Sequence, residues 1–364
     1  MKQILTLNKI SPAGLNKFDP QQYTCGEVEN PDAVILRSAS MHDMDIPSSV
    51  IGIARAGAGT NNIPIEKCSE QGIVVFNTPG ANANAVKELV ICGLFLASRK
   101  IVQGAAWAQT LKGKGDEVGK LVEKGKSNFA GNEIMGKTLG LIGLGAIGKK
   151  VAAAAAALGM TVIGYDSFLP AGTQIENVQL VDDVTELYKN SDYISLHLPL
   201  NDSTKGMINA DVFAMCKDGV KLLNFARGGI VDGDALIAAL ESGKVSAYVI
   251  DFPDDKILGV DGVVAIPHLG ASSDESEENC AAMAAEQLID LIETGSIKNS
   301  VNMSPVALEK GAKTCVFCKE SAAAAVRSAG KVLGEGAKGG YCYIALEGKV
   351  DISGEGILRV RVLS

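Results

Sequence analysis

The sequence predicts an α/β chain of two doubly wound parallel-sheet domains, with a small α+β domain at its C-terminal end. Three observations carry this reading. Short apolar runs alternate with helical stretches along most of the 364 residues. A strand, a glycine-rich turn, a helix and a second strand follow one another over residues 138–166. Beyond residue 313 the order changes to strand, helix, strand, strand. A chain of this length also exceeds the usual size of one domain.

Residues 1–7 form a strand-like run that polar residues interrupt too early for the apolar region of a signal peptide. Ala33–Leu36, 50–54 and 73–76 read as buried strands. Each opens into a polar or glycine-rich loop, at residues 37–40, 55–62 and 77–82. In open α/β sheets such loops at the C-terminal strand ends build the ligand site. Arg37 and Arg55 directly follow strands. Most arginines are solvated, but a guanidinium at a strand end suits a carboxylate or phosphate bidentately. Residues 85–98 are apolar with helical periodicity and read as a long buried helix passing between domains. Residues 112–126, rich in lysine and glycine, read as a mobile loop or short exposed helix, with Trp107 before them as packing.

The centre of the chain is the most informative. Leu139, Leu141 and Ile142 are a strand's apolar run, and Gly143, Gly145 and Gly148 follow at G-x-G-x-x-G spacing. Residues 149–158 read as a helix of small residues closed by Gly159, and Thr161–Tyr165 as a strand ending at Asp166. Each part has a physical task. Gly143 permits the tight turn, Gly145 lets backbone approach a pyrophosphate, and Gly148 lets the helix pack on the sheet. Phosphates sit where the free N–H groups and dipole of the helix N-terminus favour negative charge. An acid about 20 residues on binds the adenosine ribose and repels a 2′-phosphate, which favours NAD over NADP.

Strands follow at 191–197, 220–226, Val245–Ile250 and 263–266, and their ends converge on one sheet edge. Residues 276–293 read as a helix and 294–307 as a linker. The last segment reads as strand 314–317, alanine-rich helix 321–333, strand 340–346 and strand Ile357–Leu363.

Composition narrows the class. Apolar residues make up 47% and charged residues 21%, an ordinary globular balance with ample core. A net charge of −8 argues against nucleic acid or an anionic membrane as the main partner. No apolar stretch reaches the ~20 residues of a membrane span. Eight scattered cysteines suit a reducing cytoplasm. Cys315 and Cys318 form a C-x-x-C without a second pair or histidine cluster, so a structural reading is favoured and no metal is expected.

Oxidising a hydroxyl with a nicotinamide cofactor requires a base for the O–H proton and a cation for the developing carbonyl. Only three histidines are available. His42 reads as a surface residue, and His197 ends a strand and reads as structural or cofactor-lining. His268, in Pro-His-Leu-Gly-Ala-Ser, is the candidate base, and Arg227, before Gly228-Gly229, the candidate cation. An acid beside the histidine would fix its tautomer; Asp254 and Asp255 are candidates, the alternative being a solvated turn.

These residues carry a resemblance. Residues 55–62 (Arg-Ala-Gly-Ala-Gly-Thr-Asn-Asn), 77–79 (Asn-Thr-Pro), 143–148 (Gly-Leu-Gly-Ala-Ile-Gly), 224–232 (Asn-Phe-Ala-Arg-Gly-Gly-Ile-Val-Asp) and 267–272 (Pro-His-Leu-Gly-Ala-Ser) resemble the D-isomer-specific 2-hydroxyacid dehydrogenases. The likeness runs from about residue 33 to 301. Residues 36–39 (Leu-Arg-Ser-Ala) and the C-terminal unit resemble the branch that oxidises 3-phospho-D-glycerate with NAD at the entry to serine synthesis. The resemblance implies two Rossmann-like domains and a C-terminal ACT-like one. It implies substrate binding by 1–95 with 276–300, NAD binding by 96–275, a linker at 301–310 and a shortened ACT-like domain at 311–364.

It also implies roles. Arg227 meets the substrate carboxylate and carbonyl, and His268 is the acid/base. Ala146 and Ile147 offer N–H groups to the pyrophosphate, and Asp166 binds ribose. His197, Leu198, Pro199, Phe225, Ala226, Arg227, Asp251, His268, Gly270 and Ala271 line the adenine and nicotinamide pockets, and Ala58 approaches the cofactor from the substrate domain. Arg37 and Arg55, with Ala56, Gly57 and Asn77, meet the phosphorylated substrate. A homodimer or homotetramer is implied.

Two departures stand out. The family's glutamate five residues beyond the aspartate falls on Lys256 without a gap and on Asp255 with a one-residue deletion; Asp255 is the expectation, Asp254 the next. The C-terminal unit has almost no room for a second helix between Val350 and Ile357, and Lys319-Glu320-Ser321 replaces the usual glycine- and proline-bearing loop. Serine feedback is therefore not expected. The rivals are a reductase of glyoxylate, hydroxypyruvate or another 2-oxo acid, and a non-catalytic NAD-sensing protein of the co-repressor kind.

Overall fold

The computed structural model describes residues 1–364. They form two compact units, Met1–Asn82 with Ser273–Ser364, and Ala83–Ser272.

The first unit opens with β1 (Lys2–Leu7), β2 (Tyr23–Gly26), β3 (Ala33–Leu36), β4 (Gly52–Arg55) and β5 (Val74–Phe76). They pair in parallel in the order β2-β1-β3-β4-β5. β3 is buried at all four positions, which is why its apolar run shows no alternation. The helix Asp274–Glu293 packs on this sheet, with Leu288 and Leu291 in its core. Ser273 caps that helix by accepting from the Ser276 N–H.

The second unit holds β6 (Thr138–Ile142), β7 (Thr161–Tyr165), β8 (Gln179–Leu180), β9 (Tyr193–Leu196), β10 (Val220–Asn224), β11 (Val245–Ile250) and β12 (Val263–Ala265). Their order is β12-β11-β10-β9-β6-β7-β8, and every pairing is parallel. The chain steps from β6 to β7 on one side and returns to β9 on the other. That reversal opens a crevice at the C-terminal ends of β6 and β9, where doubly wound sheets bind ligands. The helix Ala83–Ser98 belongs wholly to this unit, so the expected boundary at 95 falls inside it. The reason is packing: a Cβ on Gly93 would stand 2.7 Å from the Phe225 ring. No single helix is long and apolar enough to cross a membrane; Ala83–Ser98 and Ile101–Gln109 satisfy length and composition only as a pair bent by 73°. Val118–Gly125 is an exposed helix with no buried residue, and Trp107 packs on Phe129 at 5.3 Å.

The last sheet comprises β13 (Lys313–Lys319), β14 (Val332–Lys338), β15 (Tyr341–Glu347) and β16 (Ile357–Leu363), antiparallel in the order β14-β15-β13-β16. One helix, Glu320–Ser328, covers one face. The expected helix over 321–333 stops at Ser328, and β14 takes up Val332 and Leu333. The second helix absent from the sequence pattern is absent here too, with loop between Val350 and Ile357. Strand alternation separates the C-x-x-C: Cys315 faces the core shared with the first sheet, and Cys318 faces the covering helix. No group of histidine, cysteine and carboxylate side chains could hold a metal.

This sheet is not tethered loosely. Phe317, Tyr343 and Ala345 share one core with Leu288, Leu291 and Phe76. Arg359 donates to the carbonyls of Ser48 and Gln71, and Arg361 to those of Leu291 and Ile292. The segment 294–307 is likewise fixed. Asn302 is buried, accepts from the Val75 N–H and donates to Ser69 Oγ and the Ile73 carbonyl.

Candidate active site

The glycine turn leaves β6 and feeds the helix Ala146–Ala157. Gly143 has φ 95°, and a Cβ there would lie 2.4 Å from the His197 carbonyl oxygen. A Cβ on Gly148 would lie 2.1 Å from the Gly143 carbonyl oxygen. Both positions are therefore closed to any side chain. Gly145 differs: no atom lies within 4 Å of its Cβ position. That open space borders the helix N-terminus at Ala146 and Ile147, whose first N–H groups lack intrahelical acceptors. Asp166, just past β7, accepts the Leu144 N–H at 2.8 Å and the Phe168 N–H at 2.9 Å. It clamps the turn from the neighbouring strand, and its oxygens retain lone pairs for ribose hydroxyls. This cradle fits a dinucleotide's pyrophosphate and ribose. Gly148→Ala is expected to weaken NADH binding by about 10- to 100-fold, the cost of a ~1–3 kcal/mol backbone shift, in a fluorescence titration.

The next loops supply the chemistry. Asn224, at the end of β10, is buried; its Nδ2 donates to the Arg227 carbonyl and to Tyr248 Oη, and its Oδ1 accepts from the Ala226 N–H. This fixes the Phe225-Ala226-Arg227 turn. The exposed Arg227 guanidinium lies 5.0 Å over the Phe252 ring and donates to the Ala226 carbonyl. The exposed His268 ring lies 4.0 Å from the same Phe252 ring, tilted by 44°. One aromatic side chain therefore brings together the candidate base and the candidate cation. Sequence reasoning brought these strand ends to one edge but missed Phe252, because residue order does not show which side chain lies between Arg227 and His268.

Asp251, directly before it, is 2% exposed, and no other residue donates to its carboxylate. Burial raises its pKa to about 6, against the opposing pull of its own backbone N–H and of Arg227. Gly270 passes close by, its Cβ position 3.5 Å from Asp251 Oδ2. Leu198 reaches the turn at Gly143, and Phe225 is buried against the helix Ala83–Ser98, while Pro199 is exposed and Ala226 and Ala271 are half-buried. His197 hydrogen-bonds Ser195 Oγ at 3.0 Å, and burial pushes its pKa down to about 4. It is neutral near pH 7 and sits behind the glycine turn.

The candidate acids follow Phe252 on a turn. Asp254 caps the following turn by accepting the Ile257 N–H at 3.2 Å, and Asp255 is exposed on that turn. Lys256 points the other way and pairs with Asp234 at 2.5 Å.

In the first unit, the ends of β3, β4 and β5 gather the remaining candidates. Arg55 Nε and Asn62 Nδ2 both donate to the Arg37 carbonyl, at 2.9 and 3.1 Å. The Ala56 N–H donates to the Leu36 carbonyl, and the Thr78 N–H to that of Gly57. Asn77 Nδ2 donates to the Ala58 carbonyl, and the Asn77 carbonyl accepts from Gln287. Arg37 ion-pairs with Glu277 at 2.6 Å, a partner 240 residues away that the sequence did not disclose. Both guanidiniums lie near Cys280, pulling down a thiol pKa that burial raises. His42 is exposed and bonds the Asn61 carbonyl.

Comparison with known proteins gives the lineage of these motifs. The family model described as "D-isomer specific 2-hydroxyacid dehydrogenase, NAD binding domain" matches residues 92–270. The chain is 36% identical over 294 residues to a D-3-phosphoglycerate dehydrogenase of Methanocaldococcus jannaschii, covering 78% of this chain and 54% of that one. It is 40% identical over 269 residues to a hydroxypyruvate reductase of Thermotoga maritima, covering 71% and 83%. Among solved structures, an NAD+-bound 3-phosphoglycerate dehydrogenase of Entamoeba histolytica superposes with TM-score 0.65 at 27% identity, over 83% of this chain and 98% of that one. The chain spans about half the length of the curated phosphoglycerate dehydrogenases it matches.

Proposed function

The chain belongs to the D-isomer-specific 2-hydroxyacid dehydrogenases, and we propose that it oxidises 3-phospho-D-glycerate to 3-phosphohydroxypyruvate with NAD, the first step of serine synthesis. NAD, when bound, accepts the hydride from the carbinol carbon. Gly145, Ala146, Ile147 and Asp166 hold it, and the acid at Asp166 disfavours a 2′-phosphate. Asp251, Gly270, Ala271, Leu198 and Pro199 line its pockets. His268 takes the substrate O–H proton, and Arg227 holds the carboxylate and polarises the carbonyl. Asp255, with Asp254 next, is the acid that would orient the His268 ring. A cytoplasmic setting and assembly as a homodimer or homotetramer are part of the reading; eight free thiols suit a reducing compartment.

The observation that carries the substrate is the pair of arginines, Arg37 and Arg55, at adjoining strand ends of the first sheet. One observation favours a second reading, reduction of glyoxylate or hydroxypyruvate: Glu277 already pairs with Arg37 and offsets one of the two charges.

NADH formation with 3-phospho-D-glycerate, beside D-glycerate, separates the two. Turnover of the phosphorylated acid alone is expected. Arg55→Ala is then expected to raise its KM by roughly 10- to 100-fold, since a charged hydrogen bond contributes about 1.5–3 kcal/mol. Preference for D-glycerate, or a KM indifferent to Arg55, would move the protein to the second reading.

A further inference from the structure

The second sheet has another charged site, at the opposite strand ends from the glycine turn. Lys137 precedes β6, Asp192 precedes β9, and Lys221 lies near the start of β10. Together with Tyr193, Lys217 and Asp218 they frame an open cleft of about 130 Å³, room for a compact ion and not for a drug-sized ligand. β6 is five residues long, which at ~3.3 Å per residue puts the cleft on the order of 16 Å from the glycine turn. It is not part of the dinucleotide cradle.

Its charges do not balance. Asp192 accepts Lys217 Nζ at 3.0 Å and the Thr138 N–H at 2.8 Å. Asp218 accepts Lys244 Nζ at 2.9 Å. Each carboxylate thus has its own ammonium, and Lys137 and Lys221 are left over. Lys221 is half-buried, 5.0 Å over the Tyr193 ring. Burial and the Lys137 charge lower its pKa against the pull of Asp192, the signature of a cation short of counter-charge. This excess stands in a chain whose net charge is −8. The floor is rigid: Tyr193 Oη is bonded to Ser98 Oγ at 2.8 Å, and Ser98 to the Leu94 carbonyl.

We propose that this lysine cleft at the N-terminal edge of the second sheet is a separate binding site for a small, multiply charged anion of the phosphate-ester or pyrophosphate class. An anion there relieves the repulsion between Lys137 and Lys221 and gains the cation above Tyr193.

The test uses inorganic pyrophosphate, titrated calorimetrically into the NAD-saturated protein at constant ionic strength, because exposed charges are screened by salt. Saturable binding is expected, at least tenfold weaker in Lys137→Met/Lys221→Met and restored in Lys221→Arg. Without the anion, the double variant is expected to melt no lower than the parent, since two mutually repelling ammoniums are gone. Absence of saturable binding in the parent, or equal binding in the double variant, would overturn the proposal. A double variant that melts lower would show that the lysines are structural and overturn it as well.

Discussion

His268→Gln is expected to lower kcat by on the order of 10²–10⁴ while leaving the NADH dissociation constant within about twofold, because it removes proton transfer and little else. Glutamine fills nearly the same volume against Phe252, where the His268 ring sits 4.0 Å away. It can still donate a hydrogen bond, but it cannot take a proton at neutral pH. His197 is half-buried, held neutral with a pKa near 4 and hydrogen-bonded to Ser195. Asp254 is engaged with the Ile257 N–H, and Asp255 is on the solvent side of the turn. Steady-state NADH formation and a fluorescence titration of NADH decide the matter together. A variant that keeps more than about a tenth of the parent turnover would show that another group moves the proton. A parent that binds NADH yet turns over no 2-hydroxy acid would instead favour the sensor reading.

Phe252→Ala separates positioning from chemistry. The ring touches both Arg227 and His268, so its loss is expected to raise KM and lower kcat together, by roughly tenfold each, with the proton acceptor still present. Parallel pH profiles for parent and variant identify Phe252 as a positioning residue; a displaced profile would give it an electrostatic role.

What was legible in the sequence was what contiguous residues decide. The strand, the glycine turn, the helix and the terminal Asp166 lie within one stretch, and the turn's glycines are fixed by backbone contacts, such as Gly148 against Gly143. The illegible parts depend on long-range meetings. Glu277 meets Arg37 from a helix in another part of the chain, and Phe252 joins Arg227 to His268 across three strand ends. β14 was hidden for a different reason. It is an edge strand, mostly exposed, so it has no apolar alternation, and the alanine-rich helix before it extends the helical pattern into Val332 and Leu333. The polar residues of 294–307 suggested a linker because composition does not reveal that Asn302 is buried and satisfies the backbone of β5. Lys256, the ungapped alternative for the acid position, pairs with Asp234, another contact that residue order does not disclose.

Asp251→Asn is expected to make the folded protein more stable and the oxidised cofactor less tightly held. The carboxylate is 2% exposed with no donor from another residue, and its pKa rises from an ordinary 3.8 to about 6. A folded pKa above the unfolded one means that the folded state holds the proton more tightly. Below about pH 4 the group is neutral in both states and imposes no penalty. Between about pH 4 and 6 the unfolded chain ionises while the folded one still holds the proton, so stability falls by up to ~3 kcal/mol and levels off above about 6. Asparagine removes that charge at constant shape. The variant's gain over the parent is therefore expected to be absent near pH 4 and to reach about 1–3 kcal/mol near pH 8, the lower end applying if its new N–H₂ finds no acceptor. Urea unfolding of both proteins across this range reads the difference directly. The same charge favours a cationic nicotinamide ring over a neutral one. Its loss is expected to weaken NAD about tenfold more than NADH, which paired titrations measure. A variant less stable than the parent at pH 8 would show that Asp251 is held by a donor. An unchanged ratio of NAD to NADH affinity would place its charge away from the ring. A gain in stability joined to a loss of NAD preference would mean that the buried carboxylate is kept, at a cost to the fold, for the cofactor.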